Sequence, residues 1–246
     1  MDGLVRAYAS SPLLFWVLGS VTACALGTNL LWLLRSTGIQ TWPAVRGLQR
    51  VVQFLFYLGV PYLALGGWPR DPFQGTLSLE DLGIVGLSAR WPPTRWLSAA
   101  GTALGVGFVA FLLLVVARAN AGKVGTGSWL RFPHRPWWAI LVEVIYLQVH
   151  WAFYRAALAL SLDTWTSAIL FGLGLVYLEW SLNPFWRQAW HSEAHAAATW
   201  LRASLALLAA LVYLLTRNLW ACLAVHLLFE TAFRRLVPAP APVRTG

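Results

Sequence analysis

Seven ionisable residues sit inside long apolar runs of this sequence: Glu143, His150 and Arg155 in one run, Glu179 in the next, Arg202 in a third, and His226 with Glu230 in the last. Dehydrating such groups costs several kcal/mol, so a chain that keeps them there has either paired them or put them to use. Their types suit chemistry at a polar centre. Carboxylate and imidazole are the ordinary groups for moving protons, and both ligate zinc. Spacing sorts them by helix face. Glu143 and His150 are seven residues apart, within about 20° of each other around a helix. His226 and Glu230 are four apart, as are Trp151 and Arg155, and each of these pairs shares a face. One reading is a cavity that binds or transforms something. The other is helix-to-helix pairing that holds a bundle together.

The elements that must position these groups follow from composition. Of 246 residues, 59% are hydrophobic and 11% charged, whereas soluble domains average about 25% charged. The mean hydropathy is +0.62. Apolar runs recur near 12–34, 51–67, 97–117, 137–160, 165–183, 198–216 and 218–235, most of them long enough to cross a hydrocarbon core of about 30 Å as a helix. The sequence therefore predicts an all-α, polytopic transmembrane bundle of about seven spans, folded as a single membrane domain over residues 1–246. The second run is the shortest, and Pro61 is placed to kink it. The first run reads as a spanning helix rather than a cleaved signal peptide.

Between the runs, Gly66 to Arg95 is rich in Pro and holds a short amphipathic piece, Ser78 to Leu87, expected to lie on the membrane surface. Residues 118–136 form a polar, Gly-rich connection, and 237–246 read as a disordered tail that alternates Pro and Ala. Many of the 16 Trp stand at the ends of runs, among them Trp42, Trp68, Trp96, Trp137, Trp138, Trp165, Trp186, Trp190 and Trp220. That is where an amphipathic ring meets lipid headgroups.

The net charge of +9 comes almost entirely from Arg flanking the runs, which argues for orientation and anionic lipid rather than for nucleic acid. With the N-terminus outside, eleven Arg and Lys fall on inside segments and five on outside ones, so the bias predicts N-terminus out and C-terminus in.

Other motifs carry less. Cys24 and Cys222 lie inside apolar runs and read as buried free thiols. His191-Ser-Glu-Ala-His195 has the two-histidine spacing of a metal site, but Glu does not follow the first His as in zinc proteases, so a solvated interfacial turn is expected. Gly101 and Gly105 form a small-xxx-small pair suited to close helix packing. There is no phosphate loop and no dinucleotide fingerprint.

The C-terminal half, residues 137–235, resembles the four-helix region of the CPBP family, the CAAX proteases and bacteriocin-processing enzymes. The family's first motif is Glu-Glu-x-x-x-Arg, and His150-Trp151-Ala152-Phe153-Tyr154-Arg155 falls in register with it. The Arg and the aromatic residue before it match, and both glutamates are replaced. The second motif, Phe-x-x-x-His, is met by Phe171 to Leu175, with Leu in the place of His. The third, His followed four residues later by Asn or Asp, is met by His226 and Glu230. Upstream, Ser78-Leu-Glu-Asp-Leu-Gly83 also looks like a segment of many members.

The resemblance implies an intramembrane metalloprotease-like scaffold in which a motif glutamate activates water and histidines help form the polar centre. It also implies a bacterial inner membrane. Because Trp151 cannot accept a proton and Leu175 cannot ligate, the favoured expectation is a non-catalytic binding or scaffold protein, a pseudoenzyme. The alternatives are an active intramembrane metallo-endopeptidase of the CAAX-protease type and a structural subunit of a larger membrane complex.

The cavity-lining candidates are His150, Arg155, His226, Glu230, Glu143 and Glu179. His150, His226 and Glu230 are the candidate metal ligands, for a divalent ion such as zinc. Membrane lipids are the expected partners, with membrane proteins or a hydrophobic ligand beside them. Two geometric expectations follow: Arg202 pairs with Glu143 or Glu179, and His150 and His226 face one common cavity.

Overall fold

The computed structural model describes residues 2–65, 92–123, 136–159, 162, 164–192 and 195–236. The surface piece Ser78–Leu87, the upstream segment Ser78–Gly83, residues 124–135 of the polar connection, Glu193 and the tail from 237 lie outside the described residues. Among those described, the chain is helical with no strand.

Helix α1 spans Asp2–Leu33 and passes through two short 3-10 turns into α2, Pro43–Phe54. A π-type turn, Leu55–Gly59, links α2 to α3, Val60–Leu65. Pro61 is the second residue of α3, just past that turn. Lacking an N–H, it cannot continue the hydrogen-bond ladder, and the extra residue of the π turn takes up the mismatch. Helix α4 spans Pro93–Lys123 and so extends past the apolar run into the start of the polar connection. Then come α5, Trp137–Ala159, α6, Trp165–Leu182, α7, Pro184–His191, α8, Ala196–Thr216, and α9, Leu219–Leu236.

Helix ends are set by local chemistry. Thr164 caps α6, its side chain accepting from the Ser167 N–H at 3.2 Å. Asn183 does the same for α7, accepting from the Phe185 N–H at 3.0 Å, with Pro184 in the first turn. This short α7 was not foreseen from the sequence. Its polar positions interrupt any apolar run, and its Pro start reads equally well as a loop. Between α8 and α9, Arg217 takes a left-handed conformation at φ 52° and closes α8 through its N–H to the Tyr213 carbonyl at 2.8 Å. The next residue, Asn218, accepts from the Trp220 N–H at 2.9 Å and the Ala221 N–H at 3.2 Å, which starts α9. Two adjacent residues thus make a tight helical hairpin.

Helix α5 is the centre of the bundle. It packs on α1, α3, α6 and α9, while α8 packs on α4, α6, α7 and α9. Every residue from His150 to Ala157 is buried, whichever way it points. The outer surface is the reverse of a soluble protein's. Phe15, Leu18, Leu26 and Leu30 of α1, and Leu97, Leu104, Phe108 and Leu113 of α4, are all exposed. So much contiguous apolar surface is what lipid requires.

Among the described residues, four helical stretches are long and apolar enough to cross a membrane: Leu14–Thr37, Pro93–Val116, Trp165–Leu182 and Ala198–Thr216. Leu219–Phe233 is apolar but shorter. Helix α5 carries Glu143, Gln148, His150 and Arg155 along its length, and the second run is broken at its π turn. Among the described residues, which are helical without a strand, several apolar helices are therefore shown.

The Gly101/Gly105 expectation needs correcting. Both glycines are exposed, and nothing lies within 4 Å of a Cβ built on either. The small residues that pack are Ala99, Ala103 and Gly107, and a Cβ on Gly107 would lie 3.6 Å from the Phe229 ring. The two series are offset by two residues, which is about 200° around a helix, so the visible glycine pair faces outward.

Candidate functional site

Among the described residues, three polar groupings stand out at the helix interfaces. The first is centred on Glu179 of α6. His150 Nε2 lies 3.0 Å from Glu179 Oε2, and the Tyr154 hydroxyl donates to Glu179 Oε1. The same hydroxyl lies 3.2 Å from the Ser20 hydroxyl of α1. All four side chains are buried. The aromatic walls are Phe56 and Tyr57, whose rings stand 4.7 and 5.2 Å from that of His150. Nδ1 of His150 is buried with no hydrogen-bond partner.

The second grouping is on the other side of α5. Gln148 Nε2 lies 3.0 Å from His226 Nδ1, and the Trp151 indole stacks on the His226 ring with centroids 5.5 Å apart and planes 10° off parallel. Glu230, one turn further along α9, is buried at 7% exposure. The third is the ion pair between Arg202 of α8 and Glu143 of α5, in which both side chains keep just over a quarter of their surface exposed. The expected pairing of Arg202 with a carboxylate is met by Glu143. Arg202 also faces the Trp186 ring at 5.9 Å.

His150 and His226 do not meet at one centre. Gln148, which bonds His226, and His150 are two residues apart on α5, about 200° around the helix. His150 is bonded to Glu179 of α6 and walled by Phe56 and Tyr57 of the π turn, whereas the partners of His226 come from α5 itself. Glu143 and His150 share a face as their spacing requires, yet they reach different helices: Glu143 pairs with α8 and His150 with α6. Among the described residues, no three His, Cys, Asp or Glu side chains gather as a metal-binding group, and the proposed trio of His150, His226 and Glu230 is not brought together.

Arg155 lies apart from all three groupings. It is 3% exposed, packs its guanidinium over the Tyr213 ring at 4.4 Å, and has Nε and Nη2 buried without a hydrogen-bond partner. Trp151 shares its face, as spacing predicts, and both line a small cavity between α5, α6 and α8.

Of the remaining candidates, Leu175 packs against the core and Phe171 points outward at 63% exposure. His191 and His195 are both exposed. The chain leaves the helix at Ser192, whose hydroxyl lies 3.1 Å from His195 Nδ1, so the two rings do not share a helical turn. Cys222 is buried and Cys24 only half-buried, both as free thiols.

Sequence reasoning missed Ser20, Gln148, Tyr154, Phe56 and Tyr57. Tyr154 was within reach, since it stands four residues from His150 on the same face. Ser20 and Gln148 carry no charge and no spacing signal, so only the packing of their helices identifies them. No family model, curated protein or solved structure matches this chain.

Proposed function

We propose that this chain is a seven-span membrane protein of the CPBP-like kind, set in a bacterial inner membrane with its N-terminus out and C-terminus in, whose intramembrane polar centre binds or scaffolds rather than cleaves. The observation that carries this reading is the stack of Trp151 on His226. In the motif register Trp151 stands where the second glutamate would, and an indole neither activates water nor takes a proton. The other glutamate position holds His150, already engaged by Glu179. Both positions are thus filled by rings that hold helices together. The occupants such a centre suits are a lipid, a hydrophobic ligand or a transmembrane partner.

The test is mild purification of the full chain, followed by metal, lipid and pigment analysis of the same sample and an assay on prenylated and signal-like peptides. A bound lipid or chromophore, without stoichiometric metal and without cleavage, is the expected result. Zinc-dependent cleavage that disappears in His226→Ala overturns the binding reading and establishes an intramembrane metallo-endopeptidase.

A further inference from the structure

Trp165–Leu182 and Ala198–Thr216 are both long and apolar enough to cross a membrane. The short helix α7, Pro184–His191, joins their adjacent ends, so it lies at one bilayer surface whichever way round the chain is inserted. Spacing divides α7 into two neighbouring stripes. Trp186 and Trp190 are four apart and half-buried, and Arg187 and His191 are four apart and exposed. Both stripes border a groove that α7 forms with the last turns of α6. The α6 wall is Tyr177, Trp180 and Ser181. The groove volume is about 340 Å³, at the lower end of the range for small-molecule sites, about 300–1,000 Å³.

The aromatic walls are already fixed in place. Trp180 and Trp186 stack with ring centroids 4.2 Å apart and planes 7° off parallel. Tyr177 stands edge-on to Trp180 at 5.5 Å, and its hydroxyl donates to the Ala203 carbonyl at 2.9 Å. Trp190 packs on Trp200 of α8 at 4.4 Å. The basic rim is uncompensated. Among the described residues no carboxylate lines the groove or pairs with Arg187, since Glu179 is held by His150 and Tyr154 and Glu143 by Arg202.

We propose that this groove binds an anionic phospholipid of the surrounding leaflet, with its phosphodiester on Arg187 and His191 and its glycerol backbone and first methylenes on the Trp180–Trp186 platform. Charge selects the headgroup, because the guanidinium fork matches phosphate oxygens. Indoles alone would also suit a quaternary ammonium, but the Arg beside them repels one. The indole faces select a lipid over free phosphate, which has no apolar part to cover them. Depth agrees, because Tyr177 lies one turn inside Ser181 along α6, about 6 Å. The groove therefore reaches from headgroup level toward the acyl chains. Neither Glu179 nor His226 lines it. The assignment rests on the membrane location of the chain and not on whether its polar centre binds or cleaves.

The test is native mass spectrometry of the purified full chain in detergent, titrated with phosphatidylglycerol, phosphatidylcholine and soluble glycerol phosphate. Phosphatidylglycerol is expected to fill a first site about fivefold more tightly than phosphatidylcholine, the preference that one surface Arg supplies. Arg187→Gln should remove that preference. Arg50→Gln, which takes the same charge from an exposed position on α2, should keep it. Ser181→Trp fills the groove without changing the charge, and should weaken phosphatidylglycerol at least as much as Arg187→Gln does. Equal affinity for the two lipids overturns the proposal, as does an equal loss in Arg187→Gln and Arg50→Gln, which would mean that net charge alone is read. Phosphatidylglycerol held undiminished by Ser181→Trp belongs elsewhere in the bundle and overturns it too. Glycerol phosphate bound as tightly as the lipid would make the ligand a free anion and overturn the lipid assignment. Arg187 and Ser181 are both exposed; should Arg187→Gln nonetheless fail to fold, Ser181→Trp decides the matter.

Discussion

Gly172 of α6 lies against Arg155 of α5 so closely that a Cβ at position 172 would stand 3.2 Å from Arg155 Cγ and 3.3 Å from its backbone nitrogen. The side-chain carbon can shift, but the backbone nitrogen belongs to the central helix and cannot easily yield. Gly172→Ala should therefore destabilise the bundle. Overpacking costs about 1–3 kcal/mol, against a gain in helix propensity of about 1 kcal/mol. Gly174, two residues on, faces open space. Gly174→Ala should be neutral or stabilising by up to about 1 kcal/mol. Thermal unfolding of the two variants side by side checks the prediction, and a loss of the same size in both would show that helix α6 does not sit as described.

Glu179 is the hub of the buried network, with His150 on one oxygen and Tyr154 on the other. Removing one partner leaves a desolvated group behind. Tyr154→Phe should cost about 1–3 kcal/mol, and Glu179→Leu should cost more because two donors lose their acceptor. The double variant Glu179→Leu/His150→Leu should be less damaged than the sum of its parts, with a coupling of about 1–3 kcal/mol. Strict additivity in the double-mutant cycle would mean that the two side chains do not interact.

Much of this arrangement was legible as helix faces, and less of it as a site. The four-residue spacing of Trp151 and Arg155 placed both on one cavity wall, and the cost of a bare Arg in an apolar run required the carboxylate that Glu143 provides. A common His150–His226 centre was not legible correctly. Each histidine alone is an intramembrane imidazole, and spacing within a helix says nothing about which neighbour it faces. The face of α5 that looks at α9 is marked by Gln148 and Trp151, and His150 lies about 200° from Gln148. Gly101 and Gly105 misled for a related reason. A small pair identifies a face, and Ala99, Ala103 and Gly107 offered a competing one that packing chose.

Arg202 and Glu143 make an interhelical ion pair that is partly exposed, at 28% and 27%. Partial exposure limits its worth, so Arg202→Ala and Glu143→Ala should each cost modestly, with a coupling of about 1 kcal/mol. Reversing a single member should be worse, because it sets like charges together. The double reversal Arg202→Glu/Glu143→Arg should recover most of what either reversal loses. Denaturation midpoints of the four proteins measure this. A double reversal no better than the single ones would show that the pair adds nothing to the stability of the bundle.

Orientation gives the last prediction, on the seven-span proposal. Arg35, Arg46, Arg50, Arg118, Lys123, Arg131, Arg135, Arg187, Arg234, Arg235 and Arg244 would face the cytoplasm, against Arg6, Arg70, Arg90, Arg95 and Arg217 outside. Positive residues in short loops near the ends of spans are retained on the cytoplasmic side. An odd number of spans then puts the termini on opposite sides. A reporter fused after Gly246 should be active as a cytoplasmic tag, and a cysteine introduced at Asp2 should react with an impermeant thiol reagent in intact cells. Should the second run, with its π turn and Pro61, enter and leave on the same side, the count becomes even and both termini fall on one face. Labelling of both termini from the same side would therefore end the seven-span arrangement, and a matching pair of cysteines at Arg46 and Tyr62 would tell whether that run is the reason.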